Sequence, residues 1–281
     1  MRKVAIVTDS TAVMGKEFID NNTDLYTVPL QILFGDEEVY RDGIDLSSKE
    51  FFEKIAKTSI LPTTSQPSVG AVLELFEKLL NDYDEILYIT ISSNISGTFN
   101  TGLLASNQLS GKKIEVFDSL HTSVIQKMLV LVALEMAAKG THVDHIVKTL
   151  TKMRSNSSIY LVVDDLHHLG RTGRVNNMGA IIGALLKIKP ILTFEDGYIN
   201  LRKKVRTLKK AYLEVISILT LSNLDESSRI MIAHANGLDN AKIVHKAISL
   251  AFPDKEIDIC ELSPVVSVHT GPNTVGVAWI K

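Results

Sequence analysis

The chain has 281 residues, a length that favours two packed units or one large α/β domain. Hydrophobic residues make up 45% and charged residues 22% of the sequence, which are ordinary globular values and argue against global disorder. The formal net charge is −2, so the composition does not predict the salt-dependent binding of a basic protein to DNA or RNA. We therefore expect no nucleic-acid partner.

The apolar runs and the cysteine content indicate a cytoplasmic protein. Residues 4–7 form an apolar run that is too short for the core of a signal peptide. Even the longest uninterrupted runs, such as residues 128–134, are far below the ~20 apolar residues that cross a bilayer. The single cysteine, Cys260, excludes an internal disulfide, which fits a reducing compartment.

In the first half of the chain, short apolar runs alternate with amphipathic stretches, an order typical of a mostly parallel sheet covered by helices. The apolar runs lie at residues 4–7, 25–34, 86–91 and 114–117, and the amphipathic stretches at 17–19, 50–56, 72–80, 125–138 and 143–153. Gly35 and Asp36 between residues 31–34 and 37–40 predict a hairpin, which interrupts the parallel series.

The second half of the chain has a different texture. The polar residues 154–158 predict a linker, and we place a domain boundary there, which gives an N-terminal α/β domain at 1–155 and a C-terminal α/β domain at 156–281. The pattern then predicts a strand at 159–163, a hairpin at 189–205 with its turn at 195–197, helices at 208–221 and 240–251, and strands at 229–233, 257–262 and 275–280.

Three hydroxyl-rich segments are candidate binding loops. They lie at residues 8–11, 62–68 and 92–98, and we expect all three at one edge of one sheet. Helix capping explains any one of them, because Ser, Thr and Asp side chains accept from the first free N–H groups of a helix. Together they form a neutral receptor for an anion, since hydroxyl donors and helix N-termini both stabilise negative charge.

Two later segments have the glycine content of shaped loops: residues 169–175, which include Arg174, and residues 269–276, which begin at His269. Arg206, at a predicted strand end, has the usual setting of a surface charge. The sequence contains no P-loop, no G-x-G-x-x-G after a strand and no H-E-x-x-H, so we predict neither a nucleotide site nor a metal site.

The order and spacing of several motifs resemble the DegV family over essentially the whole chain. Residues 64–68 read T-S-Q-P-S and residues 92–98 read S-S-N-I-S-G-T, and this pair is rather specific. Further matching motifs lie at residues 9–11, 118–119, 173–175, 189–192 and 269–272. The resemblance implies a two-domain DegV-like fold, with a mostly parallel N-terminal sheet flanked by helices and a mixed-sheet C-terminal domain.

The resemblance also implies a ligand and its site. One long-chain fatty acid, such as palmitate or oleate, is expected in a deep apolar tunnel with its carboxylate between the domains. The family's carboxylate-binding hydroxyls fall on Thr64 and Ser96, and the expected site comprises Thr64, Ser65, Ser96, Gly97, Thr98 and His269. The family's portal or partner-facing residues fall on Arg174, Arg206 and His269.

By the same resemblance, the chain is expected to be a carrier subunit without a cofactor or catalysis of its own. It presents the bound acid to a separate fatty acid kinase catalytic subunit, which makes the acyl phosphate for phospholipid synthesis, and transient contact with a membrane surface is compatible with this role.

Two alternatives remain at this point. One is a serine-dependent lipid hydrolase or transferase that uses Ser96 with His269 as base, although Ser96 lacks the first glycine of G-x-S-x-G. The other is a lipid-responsive regulatory protein.

The sequence departs from the family pattern at a few positions. Thr172 replaces the first of two glycines before Arg174, and Asn94 and Asn273 stand where glycine is usual. Asparagine tolerates the left-handed backbone conformation better than most residues, so we expect those two loops to keep their shape. Residues 120–126 lack a glycine that many relatives carry, which bears on the shape of the tunnel wall.

Overall fold

The computed structural model describes residues 3–58, 61–164, 166–176 and 188–281. The elements up to residue 155 are β1 (Val4–Asp9), α1 (Lys16–Asp20), β2 (Leu25–Val28), β3 (Gln31–Phe34), β4 (Glu38–Arg41), α2 (Ser48–Ile55), β5 (Thr63–Ser65), α3 (Val69–Leu79), β6 (Glu85–Thr90), α4 (Thr98–Asn107), β7 (Lys113–Asp118), α5 (Ser123–Ala138) and α6 (Val143–Ser155). Those that follow are β8 (Ser157–Val162), α7 (His167–Thr172), β9 (Lys189–Glu195), β10 (Tyr198–Val205), α8 (Leu208–Thr220), β11 (Arg229–Ala235), α9 (Leu238–Ala251), β12 (Ile257–Glu261), α10 (Pro264–Thr270) and β13 (Thr274–Ile280).

The strands of the first half form two sheets. Strands β2, β1, β6 and β7 lie side by side in that order and are parallel throughout, which confirms the predicted parallel sheet. Strands β4, β3 and β5 form a small antiparallel sheet, and the predicted hairpin at Gly35 and Asp36 joins β3 to β4. The apolar run at 25–34 is two strands rather than one, because Pro29 has no N–H for a ladder and separates β2 from β3.

The strands of the second half form one mixed sheet in the order β10, β9, β8, β13, β11 and β12. Its neighbours are antiparallel except for β11 and β12, which are parallel. The α/β class with a parallel and a mixed sheet is therefore confirmed. The division into domains at 1–155 and 156–281 stays a prediction.

Helix α5 lies between the two large sheets. One face of the parallel sheet packs on α3 and α4, through side chains such as Phe76 and Tyr88. The other face packs on α5, which also contacts β8, β11 and β13 of the mixed sheet. Helices α8 and α9 pack on a separate apolar cluster of the mixed sheet that includes Trp279. Because α5 meets apolar surfaces on both sides, its sequence is apolar almost all the way round.

A buried hydrogen-bond network fixes the start of α5 against the parallel sheet. Asp9, at the end of β1, accepts hydrogen bonds from the Thr11 N–H at 3.0 Å and the Ile91 N–H at 2.7 Å. Gln126 of α5 lies 2.8 Å from the Thr11 hydroxyl and donates to the Thr8 hydroxyl at 3.1 Å. Burial raises the pKa of Asp9, while the hydrogen bonds from Thr11 and Ile91 oppose that change. The network therefore ties α5 to the ends of β1 and β6.

The predicted linker at residues 154–158 is wrong. Helix α6 continues to Ser155 and β8 begins at Ser157, so only Asn156 separates them. The polar side chains are used in packing: the Arg154 guanidinium lies 4.9 Å from the centre of the Phe117 ring, and Arg154 also donates to the Asp118 carbonyl. Basic residues in a last helical turn are also favourable beside the free carbonyls.

Two segments predicted as loops contain helices. Helix α7 covers residues 169–172 of the first segment, and Gly173, which follows it, closes the helix with a positive φ of 69°. Helix α10 ends at Thr270, so His269 is helical. Ser263 caps α10 and Pro264 occupies its first position, a start signal that the sequence analysis missed.

The turn between β9 and β10 docks against the loop that follows β6. Asp196 and Gly197 have φ values of 50° and 80°, as the predicted Asp-Gly hairpin turn requires. The Ser92 hydroxyl donates to the Gly197 carbonyl at 2.8 Å, and the Asn94 amide donates to the Asp196 carbonyl at 2.7 Å. A Cβ on Gly197 would lie 2.6 Å from Ser92 Oγ. The mixed sheet is thus attached to the loop at 92–98.

This contact predicts that a Gly→Ala substitution lowers the free energy of unfolding by different amounts at the two hairpin turns. Gly35 has a φ of 64° and nothing within 4 Å of an added Cβ, so Gly35→Ala should cost only the left-handed strain, about 1–2 kcal/mol. Gly197→Ala should cost about 1–3 kcal/mol more, because it also displaces the buried Ser92 hydroxyl from its acceptor. Urea unfolding of both variants measures the two costs. Equal losses would show that the docked turn does not contribute to stability.

Candidate functional site

A cavity lies where the parallel sheet, the small antiparallel sheet, α10 and the mixed sheet meet. The cavity has a volume of about 150 Å³ and opens to solvent. Most of its wall is apolar, formed by Leu30, Ile91, Ile95, Ile159, Leu161, Leu169, Phe194, Ile199, Leu262, Val265 and Val266. Apolar walls with a few polar groups are typical of sites for small amphipathic ligands.

The structure brings most of the predicted site residues together in the wall of this cavity. Those that line it are Thr64, Ser65, Ser96, Gly97, Arg174 and His269. Thr98 is buried behind the wall, and Arg206 is exposed just beyond β10 and does not line the cavity. The carboxylate and portal roles of these residues stay predictions.

The three hydroxyl-rich segments do not share one sheet edge, contrary to the expectation from the sequence. The segments at 8–11 and 92–98 follow β1 and β6, which are parallel neighbours. Residues 63–65 instead form β5, which pairs antiparallel with β3 in the small sheet. The third segment still reaches the second, since Gln66 packs so closely on Gly97 that an added Cβ would lie 2.3 Å from Gln66 Oε1.

Thr64 and His269 form a hydrogen bond across the cavity wall. The Thr64 hydroxyl lies 2.8 Å from His269 Nε2, although the residues are 205 positions apart. Strand β5 presents Thr64 and the last turn of α10 presents His269. When Nε2 carries the ring proton, it donates to Thr64, and the Thr64 hydroxyl proton stays free to bind an anion.

Ser96 has a similar arrangement. Its Oγ lies 2.9 Å from Thr98 Oγ1 and accepts a hydrogen bond from the Thr98 N–H at 3.3 Å. When the Thr98 hydroxyl donates to Ser96, the Ser96 proton is likewise free. Thr98 therefore positions Ser96 rather than lining the cavity itself. Thr64 and Ser96 then become two neutral donors whose oxygens are already satisfied.

His269 is a neutral imidazole in this setting. Burial lowers its pKa to about 3, and the positive charges of Arg174 and Arg171 act in the same direction. Its Nδ1 is buried and has no hydrogen-bond partner among the residues that the structure describes. The ring therefore orients Thr64 without placing a charge in the cavity.

Ser96 and His269 do not form the pair that a serine hydrolase needs. A nucleophilic serine requires a base within hydrogen-bond reach of its hydroxyl. Here the hydrogen bond of His269 goes to Thr64, and the hydroxyl contact of Ser96 goes to Thr98. The geometry does not support the alternative of ester hydrolysis.

Arg174 and the residues before it form one corner of the cavity. Arg174 is half-buried and donates to the Thr172 carbonyl, and burial lowers its pKa. Thr172 fits at the end of α7, where its hydroxyl donates to the His168 carbonyl at 3.0 Å. Arg171 donates to the Pro62 carbonyl at 2.8 Å, so this corner is linked to the segment that precedes β5.

The other departures from the family pattern are accommodated in different ways. Asn273 has a φ of 61°, in the left-handed region as expected, but Asn94 does not have a positive φ. In the segment at 120–126, Leu120 and Ser123 have φ values of 51° and 56°. Thr122 and Ser123 line the cavity, and the sequence analysis missed them as site residues because only the absence of a glycine drew attention there.

The fold and site define an α/β protein whose two large sheets enclose a mostly apolar cavity with hydroxyl donors in its wall. A family model described as "Uncharacterised protein, DegV family" matches residues 3–281. A DegV domain-containing protein of Halalkalibacterium halodurans is 37% identical over 281 residues, which cover 99% of each chain.

Two crystal structures show the same architecture. DegV of Bacillus subtilis, described as a fatty acid binding protein, has a TM-score of 0.90 and 36% identity and covers 100% of this chain and 99% of its own. A fatty acid binding DegV family protein of Streptococcus agalactiae has a TM-score of 0.92 and 30% identity, with the same coverage. The chain belongs to the DegV family. In the part of the chain that the structure describes, no helix has the length and apolar character needed to span a membrane.

The burial of His269 predicts its titration in lipid-free protein. Its NMR ring signals should show no protonation between pH 8 and pH 5, because its pKa lies near 3 instead of 6.5. The unfolded chain takes up this proton first as pH falls, so His269 should lower the free energy of unfolding from about pH 6.5 downward. His269→Gln identifies the signal, and the urea-unfolded chain serves as control. A midpoint near 6.5 in the folded chain would contradict this site geometry.

Proposed function

We propose that the chain binds one long-chain fatty acid, such as palmitate or oleate, in the cavity and presents its carboxylate to a separate kinase. The acyl chain lies along the apolar wall. The carboxylate meets the hydroxyls of Thr64 and Ser96, with Ser65, Gly97, Thr98 and His269 completing the site. The description of the B. subtilis and S. agalactiae relatives as fatty acid binding proteins supports this ligand class.

The apolar wall supplies the affinity. Burying the tail of a C16 to C18 acid at ~0.8 kcal/mol per CH₂ gives on the order of 12 kcal/mol, before the cost of association is subtracted. Such a gain is enough for tight binding without any ion pair. The carboxylate head group therefore needs only to be oriented and to meet hydrogen-bond donors where it is buried.

The hydroxyl pair meets that need, and it is the single observation on which the proposal rests most. Thr64 and Ser96 each have a partner that satisfies the oxygen, His269 Nε2 and the Thr98 N–H respectively. Each hydroxyl can then donate its proton to an ionised carboxylate, a charge-assisted bond that offsets much of the cost of desolvation. No lysine is required.

Removing either hydroxyl should weaken binding. Thr64→Ala and Ser96→Ala should each cost about 1–3 kcal/mol of palmitate affinity, the value of a hydrogen bond to a charged acceptor. The double variant should lose less than the sum, because both hydroxyls share one carboxylate. A fluorescent fatty acid displaced by palmitate gives the affinities.

Thr63→Ala and Ser93→Ala are the matched controls, since both are adjacent hydroxyl residues outside the cavity wall. They should bind palmitate like the unmodified protein. If both single variants at Thr64 and Ser96 bind palmitate with unchanged affinity, the head-group assignment is wrong.

The chain is proposed to act as a carrier rather than as a kinase. Phosphoryl transfer from ATP needs a phosphate cradle and Mg²⁺ ligands, and the sequence contains no Walker-type motif. A fatty acid kinase catalytic subunit would supply both and form the acyl phosphate for phospholipid synthesis. Because the proposed partner consumes ATP, we propose that the chain acts as a carrier in the cytoplasm. Because the acyl phosphate is used for phospholipid synthesis, the chain would also contact the membrane surface briefly.

Arg206 separates partner contact from lipid binding. It is exposed and lies outside the cavity wall, so Arg206→Ala should lower kinase-dependent acyl phosphate formation about tenfold, through loss of a contact to the partner or to phosphate. Palmitate affinity should stay unchanged. Arg229 is an exposed arginine in the mixed sheet, and Arg229→Ala should change neither acyl phosphate formation nor palmitate affinity.

The assay adds a fatty acid kinase catalytic subunit and measures ATP consumption beside a lipid titration. ATP consumption by the isolated chain with palmitate would contradict the carrier role. Equal activity of the Arg206 and Arg229 variants would remove Arg206 from the partner surface.

A further inference from the structure

The outer face of α8 and α9 carries large aliphatic side chains that are exposed to solvent. Both helices pack their inner faces on the apolar cluster of the mixed sheet that includes Trp279. On the outer side, Leu213 is 58%, Ile243 62% and Leu250 77% exposed. Single exposed aliphatic residues are normal on a protein, so the arrangement of these three decides whether they form one surface.

The sheet topology places the two helices side by side and in the same direction. Strands β10, β11 and β12 are parallel to one another, because an even number of antiparallel pairings separates β10 from β11 and because β12 pairs parallel with β11. Helices α8 and α9 connect these three strands in sequence and contact each other. Because α8 begins at Leu208 and α9 at Leu238, Leu213 and Ile243 are each the sixth residue of their helix and lie at a similar level.

Contacts on the flank of each helix show which side chains border the groove between them. Glu214 forms an ion pair with a lysine of β10 at 2.7 Å, so its flank of α8 faces away from α9. His245 Nε2 lies 3.1 Å from a carbonyl oxygen of β12, so its flank of α9 faces away from α8. At 3.6 residues per turn, Leu213, Ile243 and Leu250 lie toward the other flank of each outer face. They therefore border the groove together and form one apolar strip.

Positive charge surrounds this strip. The outer faces of the two helices carry four exposed lysines: Lys209, Lys210, Lys242 and Lys246. In the part of the chain that the structure describes, none of the four forms an ion pair. Asp239 is an exposed carboxylate of the same face, and the charge of Glu214 is balanced by its lysine partner. The face therefore has a net positive charge, although the whole chain has a net charge of −2.

The composition of this face favours a lipid bilayer over a protein as its partner. The centres of protein interfaces are enriched in Trp, Tyr and Arg and depleted of Lys, whereas this face combines lysines with leucine and isoleucine. Helices that lie on a membrane surface have that combination. Their aliphatic side chains enter the boundary of the acyl chains, while the flexible lysines reach the phosphate groups.

We propose that the face formed by Leu213, Ile243, Leu250 and the four lysines docks the chain on a phospholipid bilayer that carries negative charge. The inference goes beyond the proposed function, which includes brief membrane contact but assigns no surface to it. Each lysine near an anionic membrane strengthens binding about fivefold. The cavity wall contains no residue of α8 or α9, so docking through this face leaves the cavity accessible.

The experiment measures cosedimentation of lipid-free protein with vesicles of phosphatidylcholine, with and without phosphatidylglycerol. The unmodified chain should bind the charged vesicles at least tenfold tighter than the neutral ones, and added salt should weaken this binding. Lys242→Gln with Lys246→Gln should weaken it about twentyfold, because two of the four charges are lost. Leu213→Ser with Ile243→Ser should weaken it about tenfold, because the apolar strip is lost.

Two double variants elsewhere on the surface are the matched controls. Lys148→Gln with Lys152→Gln removes two exposed lysines of α6 that have the same spacing along a helix. Ile44→Ser with Leu104→Ser removes an isoleucine and a leucine of similar exposure, 59% and 56%. Both control variants should bind charged vesicles like the unmodified chain.

The outcomes separate this inference from the proposed function. Absence of binding to charged vesicles, equal binding to neutral ones, or test variants that bind like their controls would overturn the inference. It is also overturned if the test variants keep vesicle binding but lose acyl phosphate formation with the kinase subunit, since the face would then bind a protein. Palmitate affinity is measured on the same variants and should stay unchanged. A chain that binds charged vesicles but no palmitate contradicts the proposed function alone.

Discussion

The burial of α5 between two sheets is the constraint on which the rest of the structure depends. The helix must be apolar toward both sheets. A rotation of the helix would expose apolar surface or leave the buried side-chain amide of Gln126 without hydrogen bonds. Gln126 forms hydrogen bonds with Thr8, Thr11 and the Ile89 carbonyl, all at the end of the parallel sheet. This hydrogen-bond network fixes the N-terminal end of α5, and with it the cavity wall at residues 122–123.

In the proposed function, hydroxyls bind the carboxylate where many anion sites use cations, and this has a physical consequence. A lysine in an apolar cavity would be costly when the cavity is empty and would hold a carboxylate strongly when it is full. Neutral donors held by His269 and Thr98 avoid both costs. In the proposed carrier role, the ligand is bound mainly through its tail while its head group stays available for transfer.

The sequence was informative where one local pattern decides the structure. The turns at 35–36 and 196–197 follow from the glycine and aspartate that each contains, and the order of apolar runs predicts the parallel sheet. Residues 154–158 misled because their polarity is typical of a linker, whereas Arg154 is used to pack on Phe117.

The site could be predicted only through the family resemblance, because its contacts join distant parts of the chain. No periodicity shows that Thr64 in a three-residue strand meets His269 at the end of a helix 205 residues later. The role of Thr98 behind Ser96, and the place of Thr122 and Ser123 in the cavity wall, also depend on packing that appears only in three dimensions. The resemblance also assigns Arg206 to the portal or partner surface; Arg206 lies outside the cavity wall, and that role stays a prediction.

The central claim is that this cavity holds one fatty acid, and native mass spectrometry of the chain purified from a bacterial host tests it most directly. The account predicts a mass excess equal to one long-chain fatty acid per chain, which organic extraction removes and added palmitate or oleate restores. A chain that carries no acyl group as purified and takes up neither acid after extraction would contradict it.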